Sequence, residues 1–120
     1  MKRLIAVSVE EPGGLDSLVD PRFGRAGGFV LIDPDTGQVA RTLENEAASA
    51  GHGAGTGAAG LMARNGVAQV VSGRFGPKAY EALNGLGVEM WISPEGLTVA
   101  QVVRKLLDGE LERMKVREFR

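Results

Sequence analysis

Three stretches of this chain set cationic or imidazole side chains among glycines. They are Asp20-Pro21-Arg22-Phe23-Gly24-Arg25, Gly51-His52-Gly53-Ala54-Gly55-Thr56-Gly57 and Gly73-Arg74-Phe75-Gly76-Pro77-Lys78. Glycine lets a backbone approach a bulky group closely, and free N–H groups at the start of a helix, together with its dipole, favour an anion. Arg22, Arg25, Arg74, Lys78 and the only histidine, His52, can surround such an anion, with Gly51, Gly53 and Gly55 supplying the close backbone. Simpler roles compete with this reading. Arg74 and Lys78 can be solvated charges or partners of Asp20 and Glu46, His52 a hydrogen-bonded structural residue, and Phe23 and Phe75 loop anchors packed on the core.

Catalytic chemistry finds less support. There is no cysteine among the 120 residues, which removes thiolate nucleophiles, thiolate zinc sites, clusters ligated by this chain's own cysteines and disulfides. No Gly-x-Ser-x-Gly elbow occurs, and neither the Walker phosphate loop nor the dinucleotide fingerprint is present. A two-metal nuclease needs carboxylates converging on a metal pair, but the first apolar run, LIAVSV, carries none. The sequence therefore reads as a binding protein and not an enzyme.

Charge and hydropathy narrow the partners. The net charge is -1, whereas binding nucleic acid through phosphate neutralisation needs a clear Lys/Arg excess. No apolar run approaches the roughly 20 residues of a membrane span, and the start lacks the pattern of a cleaved signal, so a cytoplasmic location is expected.

The elements that must position the glycine loops follow from period and punctuation. Residues 4–9 (LIAVSV) form a buried strand, and 11–28 form a long loop broken by Pro and Gly. Residues 29–33 and 38–43 make a hairpin around Pro34-Asp35-Thr36-Gly37. A helix begins near Thr56 or Gly57 and stops at Asn65-Gly66, a strand covers 67–72, and a short helix over 78–84 follows Pro77. A last strand spans 88–92, and Val99, Val102, Val103, Leu106 and Leu107 mark an amphipathic helix capped by Thr98. The order βββαβαβα predicts a five-stranded mixed sheet of order 3-2-1-4-5 in an α/β, ribonuclease H-like three-layer sandwich. Residues 1–109 make one domain and 110–120 a charged C-terminal tail. Loops leaving the carboxyl ends of the parallel strands then share one edge of the sheet, where ligands bind in such folds.

The opening LIAVSVE, the DPRFGRA segment at 20–26, FVLID with its Asp-Thr-Gly turn, Asn45, the loop from Gly51 to Gly55 and GRFGPKA at 73–79 occur together in this order. In this, residues 1 to about 111 resemble the dinitrogenase iron–molybdenum cofactor biosynthesis family, which includes the NifX and NafY proteins and the C-terminal domain of NifB. The resemblance implies a ribonuclease H-like domain that carries anionic iron–sulfur or iron–molybdenum cofactor precursor clusters to cofactor-assembly proteins, with no chemistry of its own. It also exposes a departure. The family commonly has a histidine before Phe-Gly, regarded as a cofactor contact, and here Arg22 precedes Phe23-Gly24. Arginine cannot ligate iron but can hold negative charge through hydrogen bonds, which leaves His52 as the only imidazole for a metal. The alternative is a regulatory domain that binds a small molecule or phosphate in the same crevice.

Overall fold

The computed structural model describes residues 3–49 and 53–115. Strand β1 (Leu4–Val9) is buried along its whole length, as expected of an apolar run covered on both faces. It pairs antiparallel with β2 (Gly28–Ile32), which pairs antiparallel with the exposed edge strand β3 (Val39–Glu44). On its other side β1 runs parallel to β4 (Val67–Ser72), and β4 runs parallel to β5 (Glu89–Ile92). The expected order is thus present, and a sixth strand extends it. Strand β6 (Glu112–Arg113) pairs antiparallel with β5, giving 3-2-1-4-5-6.

The alternation of side chains along a strand divides the core in two. Leu4, Ala6, Phe29, Leu31 and Val70 face helices α1 (Ala54–Arg64) and α2 (Pro77–Gly85), where Ala58, Ala59, Met62, Ala79 and Leu83 meet them. Ile5, Val7, Val9, Val30, Ile32 and Val71 face α3 (Val99–Leu107) through Val99, Val102, Val103 and Leu106. Helices therefore cover both sides of the sheet, which makes the three-layer α/β sandwich. Thr98 caps α3 in a reciprocal capping box with Gln101.

Three features differ from the sequence reading. Helix α1 starts at Ala54, ahead of Thr56, because Gly53 takes a left-handed φ of 78° and its carbonyl accepts from the Gly57 N–H at 2.7 Å. The stretch from 11 to 28 is pinned along its length. Val19 bridges to Val9, Leu18 to Thr98, and Arg22 to Arg74. The chain after α3 turns at Gly109 with φ 74° and places Leu111 and Met114 in the cores on opposite faces of the sheet. Arg113 lies over the Trp91 ring, 5.6 Å from its centroid, which further fixes β6 on the sheet edge. Phe119 lies outside the described residues.

Candidate functional site

A cavity of about 610 Å³ opens where the loop after β1, the start of α1 and the loop between β4 and α2 meet. That volume falls in the range of small-molecule and cofactor sites. Arg22 and Arg25 come from the first loop, Ala54 and Gly55 from α1, and Arg74 and Lys78 from the third. Among the described residues, no Asp or Glu lines it. The structure thus brings together Arg22, Arg25, Gly55, Arg74 and Lys78 of the residues singled out in the sequence. Gly53 is the exposed N-cap of α1, next to the cavity wall. Gly51 and His52 lie outside the described residues.

Two helices begin at this cavity, and both begin uncapped by side chains. Gly53 and Gly76 occupy the two N-cap positions, neither offers a side-chain acceptor, and no acidic residue lies in the first turn of α1 or α2. The first N–H groups of a helix lack intrahelical partners, so these two ends present donors without a side-chain cap, and the positive ends of two dipoles, to the same space. Helix α3, which starts elsewhere, has its donors satisfied by Thr98 and Gln101.

Close backbone packing makes the convergence possible. A Cβ on Gly24 would stand 2.9 Å from the Gly55 nitrogen, and one on Gly55 would stand 2.9 Å from the Ala79 Cβ. Glycine at both positions therefore lets the first loop, α1 and α2 touch. Gly24→Ala forces a methyl against backbone that cannot rotate away, an overpacking cost of about 1–3 kcal/mol. Urea denaturation should show that loss, and unchanged stability would mean the seam yields freely.

The cations are held differently. The Arg22 guanidinium donates through Nε to Asp20 Oδ1 and through Nη2 to Asp20 Oδ2, each at 3.2 Å, and the Arg22 N–H donates to Oδ1 at 2.9 Å. Asp20 is buried, its side chain 2% exposed against 52% for that of Arg22. The hydrogen bond to Asp20, then its charge, raises the Arg22 pKa above its ordinary value. Stability linked to a raised pKa is fully present below the unfolded value and lost as pH rises through the folded one, so the guanidinium stays charged throughout neutral pH. Arg25 donates to the Ala48 carbonyl at 2.7 Å. Among the described residues, the Arg74 and Lys78 side chains have no hydrogen-bond or ion-pair partner.

Asp20 thus partners Arg22 and neither Arg74 nor Lys78. This pairing is the feature of the cavity edge that sequence reading missed, although Asp-Pro-Arg is a spacing that suits a side-chain to backbone turn. Phe23 and Phe75 are core anchors, 1% and 4% exposed, with ring centroids 5.3 Å apart. Among the described residues, no three His, Asp or Glu side chains gather as a metal site. What the cavity offers is N–H groups and cationic side chains, a donor set that fits an anionic group.

The family described as dinitrogenase iron-molybdenum cofactor matches residues 1–109. An uncharacterised protein of Methanocaldococcus jannaschii is 29% identical over 99 residues, covering 81% of this chain and 83% of its own length. The orange protein of Desulfovibrio gigas, solved in its apo form, is 43% identical with a TM-score of 0.88, covering 95% of this chain and 94% of its own. A candidate NifB protein from Thermotoga, solved by NMR, is 31% identical with a TM-score of 0.78, covering 94% and 93% of the two chains. With a shared fold and a family match over residues 1–109, the chain belongs to the dinitrogenase iron-molybdenum cofactor family.

Proposed function

We propose that this protein binds an anionic metallocluster of the iron–sulfur or iron–molybdenum cofactor precursor type and carries it to cofactor-assembly proteins without transforming it. The observation that carries the reading is the cavity on which two uncapped helix starts and Arg22, Arg25, Arg74 and Lys78 converge, with no acidic side chain among the described residues of its lining. Membership of the family supports the same ligand class. Held this way, a cluster meets N–H donors and guanidinium groups that stabilise its charge. Among the described residues, no helix is long and apolar enough to cross a membrane.

The ligand is cargo on this reading, so binding is the activity to measure. Anaerobic titration of the purified protein with an iron–sulfur cofactor precursor should give stoichiometric visible absorption that co-elutes with the protein on gel filtration. His52→Ala tests the imidazole, which directly precedes Gly53 in the chain, and Arg22→Ala tests the guanidinium. Weakened absorption in both variants is expected, and undiminished binding in both would remove this site. Arg74 and Lys78, exposed and without a side-chain partner among the described residues, favour a second reading, a regulatory domain for a phosphorylated small molecule. Binding of a nucleotide together with indifference to clusters would put it first.

A further inference from the structure

Behind the cavity wall lies a polar group of a kind that cores rarely keep without reason. Ser8, Asp20 and Ser72 are 0%, 1% and 0% exposed, and they meet at the carboxyl ends of β1 and β4. The Asp20 N–H donates to the Ser8 carbonyl at 2.8 Å, and the Ser8 hydroxyl donates back to the Asp20 carbonyl at 2.7 Å. The Ser72 hydroxyl lies 2.8 Å from that of Ser8 and 3.4 Å from the Asp20 carbonyl. Asp20 is therefore held through its main chain at both ends, which leaves its carboxylate to act outward on Arg22.

We propose that Asp20, locked by Ser8 and Ser72, is the positioning residue of the anion cavity, holding one edge of the Arg22 guanidinium so that its other edge faces the ligand. A guanidinium has five N–H donors in a rigid fork. The Asp20 carboxylate takes Nε and one Nη2 donor, so both Nη1 donors and the second Nη2 donor are left for a bidentate contact. The Arg22 backbone is fixed by the same carboxylate, and the neighbouring Phe23 N–H donates to the Arg74 carbonyl at 3.3 Å, which carries the alignment to the next cation. An arginine held in this way has less freedom to lose on binding than one on a free stem. A carboxylate beside an anion site also repels the ligand, so the sign of the effect on affinity discriminates. If charge alone mattered, removing Asp20 would tighten binding.

This inference rests on the anion reading of the cavity, so its test has one arm that needs no ligand. Asp20→Asn keeps an Oδ1 acceptor for the Arg22 N–H but sets an amide group against Nη2. Nitrogen-15 NMR of arginine side chains should show a slowly exchanging Nε–H that disappears in Arg22→Lys, and that exchanges faster in Asp20→Asn, where the retained Oδ1 is a neutral and weaker acceptor for Nε. With inorganic phosphate as probe, Asp20→Asn should weaken affinity about tenfold, the effect of one charge-assisted hydrogen bond. In an Arg22→Ala background the same substitution should change affinity less than about twofold, because a residue that acts through Arg22 has nothing left to act on. Tighter binding in Asp20→Asn, equal weakening in both backgrounds, or unaltered Nε–H protection would overturn the proposal. Should phosphate fail to bind even the unmodified protein, the anion reading falls, and the NMR arm still decides whether Asp20 orients Arg22. Should Asp20→Asn fail to fold, Ser72→Ala takes its place, with faster Nε–H exchange expected and unchanged exchange counting against the relay.

Discussion

Arg74→Ala combined with Lys78→Ala should lower affinity for the proposed cluster on the order of a hundredfold and leave the melting temperature nearly unchanged. Both side chains are exposed, both line the cavity, and among the described residues neither has a side-chain partner. Removing them therefore breaks nothing inside the protein, in contrast to Arg22, whose loss leaves buried Asp20 without its guanidinium. Each lost charge-assisted hydrogen bond to a bound anion costs about 1.5–3 kcal/mol, and two such losses reach or exceed a hundredfold in affinity. Isothermal titration at low ionic strength reads the loss, and a thermal melt reads the stability. Exposed charges are screened by salt, so the gap between the double variant and the parent should narrow as ionic strength rises through about 0.15 M. An affinity unchanged in the double variant would place the ligand elsewhere, whereas a large fall in melting temperature would show that these cations serve the fold.

Much of this site is legible in the sequence because its parts are local. Glycine beside arginine or lysine marks the three loops, and the buried runs of β1, β2 and β4 fix a sheet that brings the ends of β1 and β4 together. Helix α1 begins earlier than propensity suggests because Gly55, Gly57 and Gly60 are poor helix formers held by packing. Gly55 is tightened against Ala79, and a Cβ on Gly57 would stand 2.8 Å from that of Ala47. Strand β6 escapes a sequence reading for a different reason. Its two residues are charged and exposed, it is held by backbone pairing with β5, and Leu111 and Met114 have a spacing equally suited to a helix. The lock on Asp20 is least legible of all. Ser8 and Ser72 stand 64 residues apart, and nothing near either one signals that their hydroxyls meet. Local composition thus marks the groups that line the cavity, while the contacts that hold them in place are joined only by the tertiary fold.

Phe23→Ala should have the largest effect on stability, because this ring joins the site to the core. Phe23 stands between Arg22 and Gly24 in the chain, is 1% exposed, and packs with ring centroids 5.5 Å from Phe29 and 5.3 Å from Phe75. Phe29 belongs to β2, and Phe75 lies in the loop that carries Arg74, so the three rings tie the first cationic loop to the sheet and to the second. Truncating a buried phenylalanine to alanine costs about 3–5 kcal/mol, a large share of the roughly 5–15 kcal/mol that holds a domain of this kind folded. For a chain of this length, that corresponds to a fall in melting temperature on the order of 10–20 °C, measurable by calorimetry and by urea denaturation. Phe23→Leu keeps most of the apolar volume and should recover more than half of the loss, since packing and not a ring-specific contact carries the anchor. In both variants Arg22 and Gly24 lose part of the support beneath them, so anion affinity should fall in the same order as stability. A loss below about 1 kcal/mol in Phe23→Ala would mean the cavity collapses without strain. The first loop would then be held chiefly by Asp20 and its serines.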